Sequence, residues 1–167
     1  LICFVMHTAG VRQVHGFEFS QRHIAYIVGA LRNRERSDQS KVFQLADSIE
    51  VQNEATPEPG DLLCFNRRAD NGVMTRHSAE SLRTRYWLGG NQNTVPRDSS
   101  HCSIVVGTVE RNGQRFLQLI GGNEGARGSG DRGVTVALRE TIPVDRFGGI
   151  PNPQNHNIFG IIKLIGC

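Results

Sequence analysis

The chain has 167 residues, 38% of them hydrophobic and 21% charged, with a formal net charge of +3 at pH 7. This length suits one domain with a sizeable core, and no segment is long and apolar enough to span a membrane. The positive charge is nearly all arginine, scattered without a nucleic-acid-binding motif, which argues against a nucleic acid as partner. We therefore predict a single domain over residues 1–167.

The first residues, Leu1 to Met6, are apolar and predict a helix. No capping residue or acidic first turn precedes them, so we expect this helix to begin in chain that precedes Leu1. Gly10 is expected to end it as a left-handed cap.

A second helix is predicted to follow Ser20, which we interpret as its N-cap. Apolar residues then recur at helical spacing, namely Ile24, Ile27, Val28 and Leu31. His23 is expected in the first turn, on the exposed side or near a site. A short helix is predicted over 42–49.

A turn over 56–61 precedes a predicted strand over 62–65. The polar stretch over 66–100, with Arg85 and Trp87, is then long for a loop inside a compact domain. Two interpretations are open, a flap on the substrate side or a plain surface insertion.

A hairpin over 100–123 is the strongest signal in the sequence. Two β-type runs flank Asn112-Gly113, the best short-range indicator of a hairpin. His101 opens the first run and Asn123 closes the second, so antiparallel pairing makes them neighbours. A histidine held by a side-chain amide can act as a general base. The alternative is that two polar residues merely flank a hairpin.

Two further strands are predicted, one around Val134, Val136 and Leu138 and a closing one over 158–165. The glycine-rich run between 124 and 133 matches no phosphate-binding loop. Helices followed by about five strands with tight turns are typical of an α+β domain with helices packed on one antiparallel sheet.

The four cysteines, Cys3, Cys64, Cys102 and Cys167, form no CxxC pair, which argues against a zinc site. Cys64 and Cys102 lie in apolar runs, where a buried free thiol is the default expectation, with a disulfide as the alternative. No metal or organic cofactor is expected.

Four stretches, FSQRHIAYI, PEPGDLLCF, HCSIVV and IGGN, together with the helix end at Ala9-Gly10, resemble the papain-like cell-wall hydrolases of the NlpC and CHAP type. The sequences of these segments are most similar to an uncharacterised bacterial family of unknown function that is related to those hydrolases. The resemblance covers nearly the whole chain. The resemblance implies a papain-like α+β fold, with Asp61 structural in a turn. It also implies that the chain begins within the first core helix.

The resemblance implies a catalytic pair in which His101 is the general base and Asn123 its orienting residue. An acidic residue is usual in the family where Ser103 stands here. The nucleophile would lie about three residues before Leu1, and the narrower family has a serine there in a Trp-Ser-Ala run. Cys3 is the alternative nucleophile, but five residues along a helix rotate a side chain by about 140°, so we expect Cys3 to face the core or another element.

The implied function is hydrolysis of an amide bond in peptidoglycan or a related substrate, by a lysin or an antibacterial toxin acting in the periplasm or outside the cell. His23, Trp87 and Arg85 are the predicted substrate-binding residues, and an inhibitor or immunity protein is a candidate partner. Two other classes stay open, an inactive binding module on the same fold and an acyl hydrolase or transferase.

Overall fold

The computed structural model describes residues 1–37, 43–47, 56–67, 73–89, 99–122 and 136–164. Three α-helices are described in these ranges, α1 (Ile2–Thr8), α2 (His23–Glu35) and α3 (Ala79–Arg83). The strands are β1 (Phe43–Asp47), β2 (Leu62–Asn66), β3 (Ser100–Arg111), β4 (Gln114–Gly122), β5 (Val136–Val144) and β6 (Ile158–Leu164). Short 3₁₀ turns lie at Gln13–His15 and Pro153–His156, and a π-helical turn at Thr84–Leu88 continues α3.

The six strands form one sheet in the order β1-β6-β2-β3-β4-β5, and every neighbouring pair is antiparallel. This confirms the predicted α+β class with an antiparallel sheet. The described ranges hold six strands rather than about five, because β1 was not foreseen. No helix in these ranges has the length and apolar character needed to cross a membrane.

The N-terminal helix and its cap are confirmed. No side chain caps α1, and Gly10 adopts a left-handed conformation with φ of 82°. The predicted start of α2 is wrong by two residues, since the helix begins at His23 with Arg22 rather than Ser20 at its N-cap. The Ser20 hydroxyl instead accepts a hydrogen bond from the Arg22 N–H, at 3.1 Å, and closes the turn that leads into the helix.

Two segments differ from the prediction. Residues 43–47 form the edge strand β1 rather than a helix, and the alternation of buried Phe43 and Leu45 with half-buried Gln44 is the period of a strand. The stretch over 66–100 is not a loop throughout, because α3 and the π-helical turn lie within it. Residues 68–72 and 90–98 of this stretch lie outside the described ranges.

The predicted hairpin is confirmed as β3 and β4. Asn112 and Gly113 both have positive φ, 52° and 75°, as a two-residue type I′ turn requires. The register pairs Arg111 with Gln114 next to the turn and Ile104 with Ile120 at the far end. His101 therefore lies beyond the last of these pairs, at the start of β3.

Both faces of the sheet carry apolar clusters. On one face α2 and α3 pack on the sheet, α1 joins the same apolar cluster, and α2 buries nine of its thirteen residues. The other face holds a second cluster, formed by Leu63, Val105, Leu117, Leu119, Ile142, Val144, Ile150, Ile158 and Ile161. Burial on both faces fixes the register of the central strands, because a slip of one residue would exchange the two faces.

The central strands β2 and β3 are joined by a disulfide between Cys64 and Cys102, which are direct partners in the register. The expectation that these cysteines are buried free thiols is therefore wrong. Both are fully buried, and their Cα atoms are 4.2 Å apart, as in a non-hydrogen-bonded antiparallel pair. Among the described cysteines, Cys3 is a free thiol.

Asp61 connects the turn before β2 to the end of β6. Its side chain is 2% exposed, accepts hydrogen bonds from the N–H groups of Glu58 and Leu164, and pairs with Lys163 at 2.7 Å. Burial by itself would lower the pKa of Lys163, but its hydrogen bonds to Asp61 and Glu58 outweigh burial and raise that pKa. The structural role inferred for Asp61 agrees with these contacts.

We expect Asp61→Ala to lower the free energy of unfolding by about 3 kcal/mol, because two backbone donors and a partly buried ammonium lose their acceptor. Urea unfolding measures this change. The matched control is Glu58→Ala, since the Glu58 carboxylate pairs with the same ammonium at 3.0 Å but is 70% exposed. Glu58→Ala should lower the free energy of unfolding by less than about 1 kcal/mol. Equal losses for the two variants would contradict the structural role of Asp61.

Candidate functional site

The start of β3 places His101 among aromatic side chains. Its cross-strand partner on β2 is Phe65, with ring centroids 6.4 Å apart. The ring of His23, the first residue of α2, lies closer, with centroids 4.9 Å apart. The fold thus brings together two histidines that are 78 positions apart in the sequence.

His23 is fixed by hydrogen bonds at one ring nitrogen. Its Nδ1 accepts from the backbone N–H of Cys102 at 3.2 Å and also contacts the hydroxyl of Tyr26. A backbone N–H can only donate, so Nδ1 carries a lone pair. In the neutral ring the proton then lies on Nε2.

Burial lowers the pKa of His23 to about 3, assisted by the positive charges of His101 and Arg67. Burial also raises the pKa of Tyr26, with a smaller contribution from Cys3. At neutral pH both groups are therefore uncharged. The predicted general base, His101, thus has a neutral imidazole beside it, which in turn contacts a neutral phenol.

An open cavity of about 340 Å³ lies beside His23 and Tyr26. It is lined by residues 1–3, 19–21, 23 and 26. The start of α1 forms one wall and His23 with Tyr26 another. Cys3 lies in the wall, where its thiol donates to the Ser20 carbonyl at 2.9 Å and accepts from the Ser20 N–H at 3.2 Å. These bonds tie α1 to the segment before α2, and they turn the thiol toward another element, as expected.

The second member of the predicted pair, Asn123, lies outside the described residues. A described neighbour of His101 is Ser103, two residues along the same strand, whose hydroxyl is 3.5 Å from His101 Nε2. Ser103 is 2% exposed, so it can orient the imidazole but cannot meet a substrate.

Trp87 and Arg85, predicted to bind substrate, are placed elsewhere. The guanidinium of Arg36, at the C-terminal end of α2, lies over the Trp87 ring at 5.7 Å, and that of Arg85 lies over the neighbouring Tyr86 ring at 5.3 Å. His23 begins the same helix, and thirteen residues of helix span about 20 Å. The structure therefore does not bring Trp87 together with the histidine pair.

A second cavity, of about 300 Å³, opens where β2 ends and β6 begins. His77 lines it, and its ring nitrogen Nε2 is hydrogen-bonded to the Ser99 carbonyl at 3.0 Å. Within the described ranges no group of three or more potential metal-ligating side chains is found.

We expect His23 to make the protein less stable in acid. Its folded pKa of about 3 lies below the ordinary value of 6.5, so the unfolded chain binds the proton first as the pH falls. The stabilisation is complete above pH 6.5 and decreases toward pH 3, with a slope of up to about 1.4 kcal/mol per pH unit. Urea unfolding of the wild type and His23→Gln across this range measures it. Parallel stability curves for the two proteins would contradict it.

The sequence predicted both histidines but missed Tyr26 and Phe65 as their neighbours. Tyr26 follows His23 by three positions, a spacing that puts two side chains on one helix face. Phe65 required the register of β2 against β3, which depends on burial of both faces of the sheet.

The molecule is thus an α+β domain in which a half-buried histidine of the antiparallel sheet, His101, packs against a half-buried histidine of α2, His23, beside an open cavity. A family model described as "Uncharacterized protein conserved in bacteria (DUF2272)" matches residues 1–161, and the chain belongs to that family. This confirms the resemblance to an uncharacterised bacterial family. No match was found among curated proteins or among solved structures.

Proposed function

We propose that this protein is a papain-like hydrolase that cuts an amide bond in peptidoglycan or a related substrate, with His101 as general base. The observation that carries the proposal is the position of His101, half-buried beside His23, which lines a cavity at the start of α1. The nucleophile is proposed to lie in chain that precedes Leu1, as the resemblance of the sequence to papain-like enzymes implies. Asn123 is proposed to orient His101.

The proposed reaction proceeds by acyl transfer to the enzyme. His101 takes the proton of the nucleophile, which forms a bond to the carbonyl carbon while the carbonyl π electrons move to oxygen. Collapse of this intermediate expels the amine, which takes the proton from His101. His101 then takes a proton from water, which attacks the acyl carbon. The bond to the nucleophile breaks, and the nucleophile regains its proton from His101.

The position of Cys3 favours a nucleophile outside the described residues. Its thiol lies in the wall of the cavity, but it is engaged with both backbone polar groups of Ser20. An attacking thiol must become a thiolate with access to the substrate, and a thiolate cannot donate to the Ser20 carbonyl. Cys3 is therefore the second choice.

The disulfide supports action outside the cytoplasm. Disulfides such as Cys64–Cys102 form and persist in oxidising compartments, including the bacterial periplasm and the cell exterior. Peptidoglycan lies in those compartments, so the proposed location and the proposed substrate agree.

A second candidate function is a binding module without turnover, which is favoured by the engagement of Cys3 with Ser20. The test uses the full-length protein and purified peptidoglycan, with released fragments identified by mass spectrometry. The hydrolase proposal predicts new amine and carboxyl termini that His101→Ala abolishes, and Cys3→Ala is the matched control that should retain activity. Binding without cleavage by the wild type would favour the module, and equal cleavage by wild type and His101→Ala would contradict the proposed base.

A further inference from the structure

We propose that His23 is a fixed hydrogen-bond donor that binds the carbonyl oxygen of the substrate through Nε2–H and stabilises the oxyanion. The inference rests on the proposed amide hydrolysis and adds to it the group that holds the reacting oxygen. It assigns to His23 the role of donor rather than that of a second base.

The first step is the tautomer. Nδ1 is occupied by the Cys102 N–H and the Tyr26 hydroxyl, so the neutral ring presents Nε2–H. Cys102 is held in turn by its disulfide to Cys64 and by the pairing of β3 with β2. The ring is therefore oriented by a backbone N–H of a central strand that is crosslinked to its neighbour.

The second step is access. His23 lines the open cavity, and within the described part of the chain no hydrogen bond involves its Nε2. The proton on Nε2 is thus available to a ligand. Its neighbour His101, with ring centroids 4.9 Å away, is close enough for both imidazoles to serve one reacting group.

The third step is charge. A neutral imidazole donates a hydrogen bond without being consumed as an acid, and the lowered pKa of His23 keeps it neutral throughout the working pH range. The charged or titratable groups that act on it are His101 from β3 and Arg67 after β2. Tyr26 and Cys3 complete its surroundings and share the same cavity.

The first experiment measures the tautomer directly. Nuclear magnetic resonance of ¹⁵N-labelled full-length protein between pH 5 and pH 8 should show His23 with a lone pair on Nδ1, a proton on Nε2 and no titration, in keeping with a pKa of about 3. Soluble muropeptides should shift the Nε2–H signal. A proton on Nδ1, titration near the ordinary histidine pKa, or an Nε2–H signal that muropeptides leave unmoved would overturn the inference.

The second experiment separates donation from packing by kinetics. His23→Leu should lower kcat for muropeptides by about 10²- to 10³-fold with little change in KM, as loss of an oxyanion donor does. His23→Gln keeps an N–H donor and should recover at least tenfold of that loss, and Tyr26→Phe, which leaves the Cys102 bond, should cost less than about tenfold. Equal losses in His23→Leu and His23→Gln at matched folded content, or no loss in either, would overturn it.

The two proposals fail in different ways. If the wild-type protein releases no fragments, the hydrolase proposal fails, and the response of the Nε2–H signal to muropeptides still decides the role of His23. If the wild type is active and His23→Leu retains full kcat, the proposed donor role of His23 is wrong, but the hydrolase proposal is unaffected.

Discussion

Replacing His101 with alanine should lower kcat for peptidoglycan fragments by about 10³-fold, because a general base contributes roughly 10² to 10⁴. The base deprotonates the nucleophile and returns the proton to the leaving amine, so its loss affects both half-reactions. Steady-state kinetics on soluble muropeptides measure the change. KM should move little, because His101 acts on the proton of the nucleophile, whereas other residues form the cavity walls that would bind the substrate.

The matched control is His77→Ala, because this half-buried histidine lies at the same end of the sheet but lines the second cavity. It should change kcat less than about threefold once its unfolding midpoint is taken into account, since it contacts Ser99 and Asn66 but neither His101 nor His23. A large loss in His77→Ala with full activity in His101→Ala would move the site to the second cavity.

Removing the disulfide should have the largest effect on stability. In the chain-entropy description, a crosslink with a sequence separation of 38 contributes about 4 kcal/mol. We therefore expect the double variant Cys64→Ala, Cys102→Ala to melt about 10 °C below the wild type. Differential scanning calorimetry measures this shift.

Reduction provides the control for that experiment. Dithiothreitol should lower the melting temperature of the wild type toward that of the double variant and leave the double variant unchanged. Cys3→Ala should keep the wild-type response, since Cys3 is a free thiol. Alkylation of Cys64 and Cys102 in unfolded, unreduced protein would contradict the disulfide.

The features that the sequence predicted are those with local causes. Asn112-Gly113 determines its own turn, because both residues adopt positive φ, and Gly10 does the same at the end of α1. The turn before β2 was predicted from its prolines and Gly60. In each case the deciding interactions lie within a few residues.

The features that the sequence did not predict depend on contacts between distant segments. The strand at 43–47 is stabilised by pairing with β6, which follows it by more than a hundred residues, and five residues are too few to separate a strand from a helix by periodicity. The Cys64–Cys102 bond required the register of β2 against β3.

The candidate site depends both on local sequence patterns and on contacts between distant segments. His101 could be selected because it opens a strand of a recognisable hairpin. Its contact with His23 arises from the packing of α2 on the sheet, which no local pattern encodes. Trp87 was selected as the only tryptophan in a polar stretch, but it packs against Arg36 at the far end of α2.

The central claim is that the reacting centre lies where the start of α1, His23 and His101 meet, and chemical-shift mapping tests it most directly. Soluble muropeptides should be titrated into ¹⁵N-labelled full-length protein. The account predicts that the largest shifts cluster at residues 1–3, 19–26 and 100–103. Shifts concentrated around Trp87 or His77, with the histidine pair unmoved, would contradict it.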